Sequence, residues 1–102
     1  MRPTTDLAKE SLFNILNNVI DFEGLRVLDL FAGTGSISYE FASREASLVT
    51  SVELNFKCVE FIRKTATELK FVNLTTIRAD VFKFLSRQPA EGYDLIFSDA
   101  PY

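Results

Sequence analysis

The chain has 102 residues, which is room for one domain, and 47% of them are hydrophobic, so we expect a packed core rather than disorder. The formal net charge of -3 disfavours a freestanding nucleic-acid binder, whose surface is usually basic. A single Cys and no His exclude a zinc site, a disulfide framework and a Ser-His-Asp triad.

The sequence predicts neither a membrane-spanning segment nor a signal peptide. No apolar run approaches the ~18 residues that a membrane-spanning helix needs. The first ten residues, MRPTTDLAKE, are too polar for a signal peptide. We therefore expect a cytoplasmic protein with no membrane partner and no bound metal.

The first predicted helix covers residues 4–20, with Thr5 as its N-cap. A short run rich in Val and Leu at 25–31 predicts a buried strand, and the letters AGTGS end it. Five apolar residues recur at helical spacing and predict the buried face of the first helix: Leu12, Ile15, Leu16, Val19 and Ile20.

Helices and strands alternate along the rest of the chain. In 55–70, Val59, Ile62, Ala66 and Leu69 share one predicted helical face. Connections of helical length imply parallel strands with helices on both faces of the sheet, which is an α/β fold. The predicted elements are helices at 37–45, 55–70 and 80–88, the last begun by Asp80, and strands at 47–54, 74–79 and 93–98.

Polar residues follow the predicted strands at their carboxyl ends. The glycine-rich letters DLFAGTGS close the first strand, and Glu53, Asp80 and Asp99 close the next three. In open α/β sheets, ligands bind beyond this edge. The sequence therefore predicts a ligand site there.

The glycine loop and Glu53 indicate a nucleoside-like ligand. Gly33 and Gly35 allow a sharp turn and a close approach of ligand to backbone. Glu53 lies 18 residues after Gly35, close to the spacing at which an acid meets ribose hydroxyls. The alternative is two turn glycines and a solvated Glu.

Asp29 and Ser38 disfavour a pyrophosphate. Ser38 stands where the dinucleotide fingerprint has its third Gly, and no Lys follows the glycines as in a phosphate loop. Asp29 would repel a pyrophosphate; it either accepts a hydrogen bond from an ammonium group or orders the loop. A ligand with ribose, amine and carboxylate but no phosphate fits best, and S-adenosylmethionine is such a molecule.

The motifs resemble a known family. DLFAGTGS, VEL and DAPY, in this order, are similar to motifs of the S-adenosylmethionine-dependent methyltransferases with a Rossmann-like fold. RPTTDLAKESLFNIL followed by VLDLFAGTGSISYEFASREA resembles the RsmD-type bacterial small-subunit ribosomal RNA guanine-N2 methyltransferases. The resemblance covers 2–102. It implies one incomplete S-adenosylmethionine-binding domain over 1–102, a partial Rossmann-like fold with about four strands in the order 3-2-1-4, and truncation at both ends.

The resemblance also implies roles for individual residues. Asp29, Gly33 and Gly35 would hold the methionine end of the cofactor, and Glu53 the ribose hydroxyls. Asp80 and Val81 would take the adenine edge. Thr4 and Thr5 would lie over the pocket as a lid. The implied cofactor-binding set is Thr4, Thr5, Asp29, Ala32, Gly33, Thr34, Gly35, Glu53, Leu54, Asp80 and Val81.

The implied catalytic residues are Asp99, Pro101 and Tyr102, within a motif where the family usually has Pro at the position of Ala100. A carboxylate and a nearby backbone carbonyl can accept the two N–H groups of an exocyclic amine and favour a pyramidal nitrogen. Tyr102 would stack on an unstacked base, a contact worth about 1–3 kcal/mol. Pro101 fixes φ and helps to aim the Asp99 carbonyl.

The resemblance implies methyl transfer to a guanine N2 amine of small-subunit ribosomal RNA, with ribosomal RNA or the small subunit as partner. The chain would be the cofactor-binding part, inactive alone. We also expect self-association through 93–102, because the last strand is an unpaired apolar edge. The alternatives are an adenine-N6 nucleic-acid methyltransferase, a nicotinamide-dependent oxidoreductase, which Asp29 and Ser38 disfavour, and a non-catalytic binding domain.

Overall fold

The computed structural model describes residues 6–88 and 92–99. Four helices and four strands alternate in these residues, as the sequence predicts. The elements in chain order are α1 (Asp6–Val19), β1 (Arg26–Leu30), α2 (Ser36–Ser43), β2 (Leu48–Glu53), α3 (Phe56–Glu68), β3 (Leu74–Arg78), α4 (Val81–Arg87) and β4 (Leu95–Ser98).

The strands form one sheet in the order β3-β2-β1-β4, and every pair is parallel. The predicted α/β fold and strand order are therefore confirmed. Parallel pairing places the carboxyl ends of all four strands at one edge of the sheet. We call this edge, formed by the ends of β1–β4 and the residues that follow them, the carboxyl edge.

Alternate residues of β1 and β2 supply two separate cores. Val27 and Val49 pack with α1 and α2, whereas Leu28 and Val52 face a second cluster that includes Phe84 of α4. All four strand residues are fully buried. Helices therefore cover both faces of the sheet, because successive strand side chains point to opposite sides.

The buried face of α1 differs from the predicted one. Ile15 and Val19 are 65% and 70% exposed, whereas Phe13 is 1% exposed. The Phe13 ring meets the Phe41 ring edge-on at 4.8 Å and lies 5.9 Å from the Phe22 ring. This three-ring contact rotates the helix about its axis, so Phe13 turns inward and the predicted stripe moves partly into solvent.

The later helices follow their predicted faces more closely. In α3, Val59 and Ile62 are buried, but Leu69 is 55% exposed because the helix ends at Glu68 and Leu69 is its C-cap. The expected start of α4 is confirmed, since Asp80 is its N-cap and accepts a hydrogen bond from the Lys83 backbone N–H at 3.1 Å.

The position of β4 is fixed at its amino end by Asp94. The Arg26 backbone N–H and its guanidinium both donate to the Asp94 carboxylate, at 2.9 to 3.4 Å. The Asp94 N–H in turn donates to the Arg26 carbonyl at 2.7 Å. This reciprocal contact sets the register that pairs Val27 with Leu95.

Within the described residues, no helix is long and apolar enough to cross a membrane, and no group of three or more His, Cys, Asp or Glu is arranged to hold a metal ion.

Candidate functional site at the carboxyl edge

A tight loop with left-handed backbone follows β1. Phe31, Gly33 and Gly35 have φ values of 57°, 60° and 88°. A positive φ is unusual for a bulky residue such as Phe and stores backbone strain of the kind found at functional sites. The Ala32 N–H ties the loop to β2, because it donates to the Val52 carbonyl at 3.1 Å, and the Gly35 N–H closes the turn within the loop, because it donates to the Ala32 carbonyl at 2.9 Å.

Two features favour glycine at position 35, namely its positive φ and the lack of room for a Cβ atom. A Cβ at this position would lie 2.7 Å from Tyr39 Cζ, 2.8 Å from Tyr39 Oη and 3.0 Å from Ile62 Cγ1. The Tyr39 ring thus supports the loop from below. Its hydroxyl is buried and makes no hydrogen bond of good geometry among the described residues. Burial raises the pKa of Tyr39, and the Thr65 side chain opposes that rise.

Glu53 connects the glycine loop to α3. Its Oε1 accepts from the Gly33 N–H and its Oε2 from the Asn55 N–H, both at 2.8 Å. Asn55 is the N-cap of α3, and its side chain accepts from the Cys58 N–H at 3.0 Å. Glu53 is only 4% exposed, so the alternative of a solvated Glu is wrong. Each carboxylate oxygen can accept a second hydrogen bond, which leaves capacity for ligand hydroxyls.

Asp29 lies beneath the loop. It is 1% exposed, and its Oδ2 accepts from Ser38 Oγ at 2.6 Å. Burial raises the pKa of Asp29 to about 7, against the lowering effect of the Ser38 hydrogen bonds, and the negative charges of Asp99 and Glu53 raise it further. At neutral pH both the charged and the uncharged forms of this carboxyl group are therefore populated.

Apolar side chains are exposed around the acids of the carboxyl edge. Leu54 is 56% exposed and Phe82 is 74% exposed, although large apolar side chains usually avoid water. The Phe82 ring lies 6.2 Å from the Phe31 ring in an edge-on contact. These side chains offer a surface for a flat apolar ring, between the polar ends of β2 and β3.

Phe31 and Phe82 were not expected from the sequence. The only signal for Phe82 is an aromatic residue in the first turn of a helix that begins at a strand end. Asp80 and Val81, which precede Phe82 and were the predicted adenine contacts, are less accessible than Phe82. Val81 is 5% exposed and packs in the second core, and the side chain of Asp80 caps α4. Arg78 supports Leu54, because its guanidinium donates to the Leu54 carbonyl at 3.2 Å and lies over the Phe56 ring at 5.4 Å.

Asp99 directly follows β4 at the same edge and is exposed. Its effect on the pKa of Asp29 places it in the same electrostatic environment. Of the other predicted loop residues, Thr34 is exposed and Ala32 is partly buried. Four predicted site residues lie outside the described residues, as does the substituted position Ala100: Thr4, Thr5, Pro101 and Tyr102.

The arrangement combines three kinds of contact at one edge of the sheet. Asp29, Glu53 and Asp99 supply carboxylates, the loop after β1 supplies a glycine backbone, and Leu54 and Phe82 supply exposed apolar surface. Such a set suits a ligand that carries hydroxyls, a positive charge and a flat ring. A pyrophosphate would be repelled by the same carboxylates.

Known proteins are similar to this chain in sequence and in fold. A protein of Buchnera aphidicola subsp. Baizongia pistaciae described as ribosomal RNA small subunit methyltransferase D is 35% identical over 102 residues, which is all of this chain and 51% of that protein. The structure of a putative methyltransferase, yhhF, from Escherichia coli matches with a TM-score of 0.84 and 30% identity, over 100% of this chain and 55% of that one. A coclaurine N-methyltransferase bound to N-methylheliamine and SAH matches with a TM-score of 0.71 and 25% identity, over 94% and 28%.

The strand order and the similarity to a methyltransferase structure thus define the class of the protein, which has a partial Rossmann-like methyltransferase fold. The chain belongs to the RsmD family, whose model, described as conserved hypothetical protein 95, matches residues 1–102. The chain spans about half the length of the curated relative. The family resemblance seen in the sequence is therefore confirmed.

Proposed function

We propose that this chain is the cofactor-binding part of an S-adenosylmethionine-dependent methyltransferase that modifies the exocyclic N2 amine of a guanine in small-subunit ribosomal RNA. The observation that carries the cofactor assignment is the Glu53 carboxylate, which accepts a hydrogen bond from the Gly33 N–H of the glycine loop at 2.8 Å. The relative named as a ribosomal RNA small subunit methyltransferase supports the substrate class.

The residues present fit S-adenosylmethionine. Glu53 retains acceptor capacity for ribose hydroxyls, and the exposed side chains of Leu54 and Phe82 offer apolar surface that an adenine ring would cover. The carboxyl groups of Asp29 and Asp99 would favour a ligand that carries a sulfonium and an ammonium. When bound, the cofactor supplies an activated methyl group. The protein's own task is then to orient the acceptor amine.

Asp99 is the residue we assign to the acceptor amine. An exocyclic amine is a poor nucleophile because its lone pair is delocalised into the base. An exposed carboxylate after β4 can accept an amine N–H and favour a pyramidal nitrogen. Pro101 and Tyr102 would aim the backbone carbonyl and stack on the base, as the family resemblance implies. We further propose that this chain alone binds cofactor without turnover.

Cofactor binding is tested by calorimetric titration of the chain with S-adenosylmethionine. We expect measurable heat for the wild type and at least about tenfold weaker binding for Glu53→Gln. Gln keeps one carbonyl oxygen but loses the second acceptor, so one loop or helix N–H loses its partner. Glu60→Gln, an exposed Glu on α3, is the matched control and should bind as the wild type does. A folded wild type that gives no heat at millimolar cofactor would contradict the proposal.

The reaction is tested on the gene product that contains this sequence. We expect transfer of labelled methyl from S-adenosylmethionine to unmodified small subunits, and N2-methylguanosine after digestion to nucleosides. N6-methyladenosine, or labelling of duplex DNA, would instead support the adenine-N6 alternative. Asp99→Ala should lower the rate by at least about 100-fold. Unchanged methylation in that variant would remove Asp99 from its assigned role.

A further inference from the structure

Three buried polar side chains join β1, α2 and β2 beneath the glycine loop. Asp29, Ser38 and Ser51 are each 1% exposed or less. Ser38 Oγ lies 2.6 Å from Asp29 Oδ2 and 2.6 Å from Ser51 Oγ. A hydroxyl has one proton to donate. If Ser38 donates to Asp29, Ser51 must donate to Ser38, so the two hydroxyls form a chain that ends on the carboxylate.

The surroundings of Asp29 make its charge sensitive to a ligand. The charged groups that act on it are Glu53, at the end of β2, and Asp99, after β4, and both are acidic. From α2 the Ser38 side chain and backbone both donate hydrogen bonds to Asp29, and from β2 the Ser51 hydroxyl contacts the Ser38 hydroxyl. The pKa of Asp29, which burial raises to about 7, leaves the group partly protonated near neutral pH. A positive charge brought to the loop would favour its ionised form.

We propose that Ser38 and Ser51 are specificity-determining residues, which tune Asp29 so that the site prefers a cationic sulfonium ligand to the neutral thioether left after methyl transfer. Binding of the cation releases the Asp29 proton to solvent, whereas the thioether releases less. The proposal rests on the proposed function, because it needs S-adenosylmethionine to bind at this loop. Asp29 acts here through charge, and the two serines act as positioning residues.

The test compares two ligands that share every group except the transferred methyl and its positive charge. S-adenosylmethionine and S-adenosylhomocysteine are titrated calorimetrically into the chain between pH 5.5 and 8.5, in two buffers of different ionisation enthalpy. We expect the ratio of the two affinities to shift by about tenfold in favour of the sulfonium as the pH rises, which corresponds to a difference of one unit in the ligand-induced pKa change. Proton release near pH 6 should be larger for the sulfonium.

Variants separate tuning from a merely structural role. Asp29→Asn should abolish the pH dependence of the affinity ratio. Ser51→Ala should move the midpoint of this pH dependence upward by about half a pH unit. The substitution removes the Ser51 hydroxyl that supports the hydrogen bond from Ser38 to the Asp29 carboxylate. Ser43→Ala is the matched control, since Ser43 lies on the same helix but is exposed and donates to the Glu40 carbonyl. It should leave the midpoint unchanged.

The outcomes distinguish the inference from the proposed function. An affinity ratio that does not change with pH, with both ligands bound, overturns the inference and leaves the proposed function standing. A folded protein that binds neither ligand overturns both. If Asp29→Asn does not fold, Ser51→Ala decides, because a midpoint equal to that of the wild type removes the serines from the assigned role.

Discussion

Gly35 offers a sharp test of how the glycine loop is built. Its φ of 88° lies in the left-handed region, and a Cβ there would come within 2.8 Å of two Tyr39 atoms. Gly24 has a similar φ of 81°, yet a Cβ there would meet nothing within 4 Å. The substitutions Gly35→Ala and Gly24→Ala therefore differ mainly in the space available to one methyl group.

The two variants have different expected losses of stability. An Ala in the left-handed region costs about 1–2 kcal/mol, and a small gain from the less flexible unfolded chain applies to both variants. Gly35→Ala adds the cost of overpacking against the Tyr39 ring, about 1–3 kcal/mol. We therefore expect Gly35→Ala to lower the free energy of unfolding by about 1–3 kcal/mol more than Gly24→Ala. That is a large share of the ~5–15 kcal/mol typical of a domain.

Urea denaturation followed by circular dichroism measures the difference directly. Adding Tyr39→Leu should recover part of the loss, because it removes the two nearest atoms; a coupling of at least about 1 kcal/mol in the double-mutant cycle is expected. Equal losses in the two single variants would refute the spatial requirement at Gly35. No loss in either would refute the cost assigned to the left-handed backbone as well.

Two further predictions follow from burial and exposure. Between pH 4 and 7 the unfolded chain has lost the Asp29 proton that the folded protein keeps, because the pKa rises from 3.8 to about 7 on folding. The contribution of Asp29 to stability is therefore lost as the pH rises through its folded-state pKa. We expect the free energy of unfolding of Asp29→Asn, measured by urea denaturation, to increase relative to that of the wild type by on the order of 3–4 kcal/mol between pH 4 and pH 8. Parallel pH profiles would contradict this. Ile96, 43% exposed on β4, should support self-association at high concentration, so light scattering should show a smaller species for Ile96→Lys than for the control Ile15→Lys on α1. A wild type that stays monomeric would contradict that expectation.

The sequence was sufficient for the order of elements and for the edge that carries the site, because both depend on local periodicity and on the geometry of parallel strands. It was not sufficient for the rotation of α1. Ile15 and Val19 are as apolar as their buried neighbours, and the burial of Phe13 depends on rings that lie 9 and 28 residues away, Phe22 and Phe41. Helical spacing cannot reveal such contacts.

The candidate site likewise contains some features that the sequence predicts and others that it does not. Glu53 and the glycines follow from their spacing, and the structure brings them into contact. The link from Asp29 through Ser38 to Ser51 spans three elements and has no signature in the sequence, since a Ser in a helix is usually a surface residue. The left-handed Phe31 is equally hidden, because nothing in its side chain favours that conformation.

The Arg26–Asp94 contact has a consequence for the order in which the sheet opens. It joins residues 68 apart, about three times the separation of the β1–β2 partners such as Val27 and Val49. Each doubling of a closed loop costs only about 0.6 kcal/mol of chain entropy, so the difference is about 1 kcal/mol, and loop length alone leaves β4 nearly as easy to close. Its position matters more, since β4 has a single neighbour in the described sheet. Backbone amides of β4 should therefore exchange with deuterium by local opening, whereas those of β1 should exchange more slowly, only when the whole sheet unfolds.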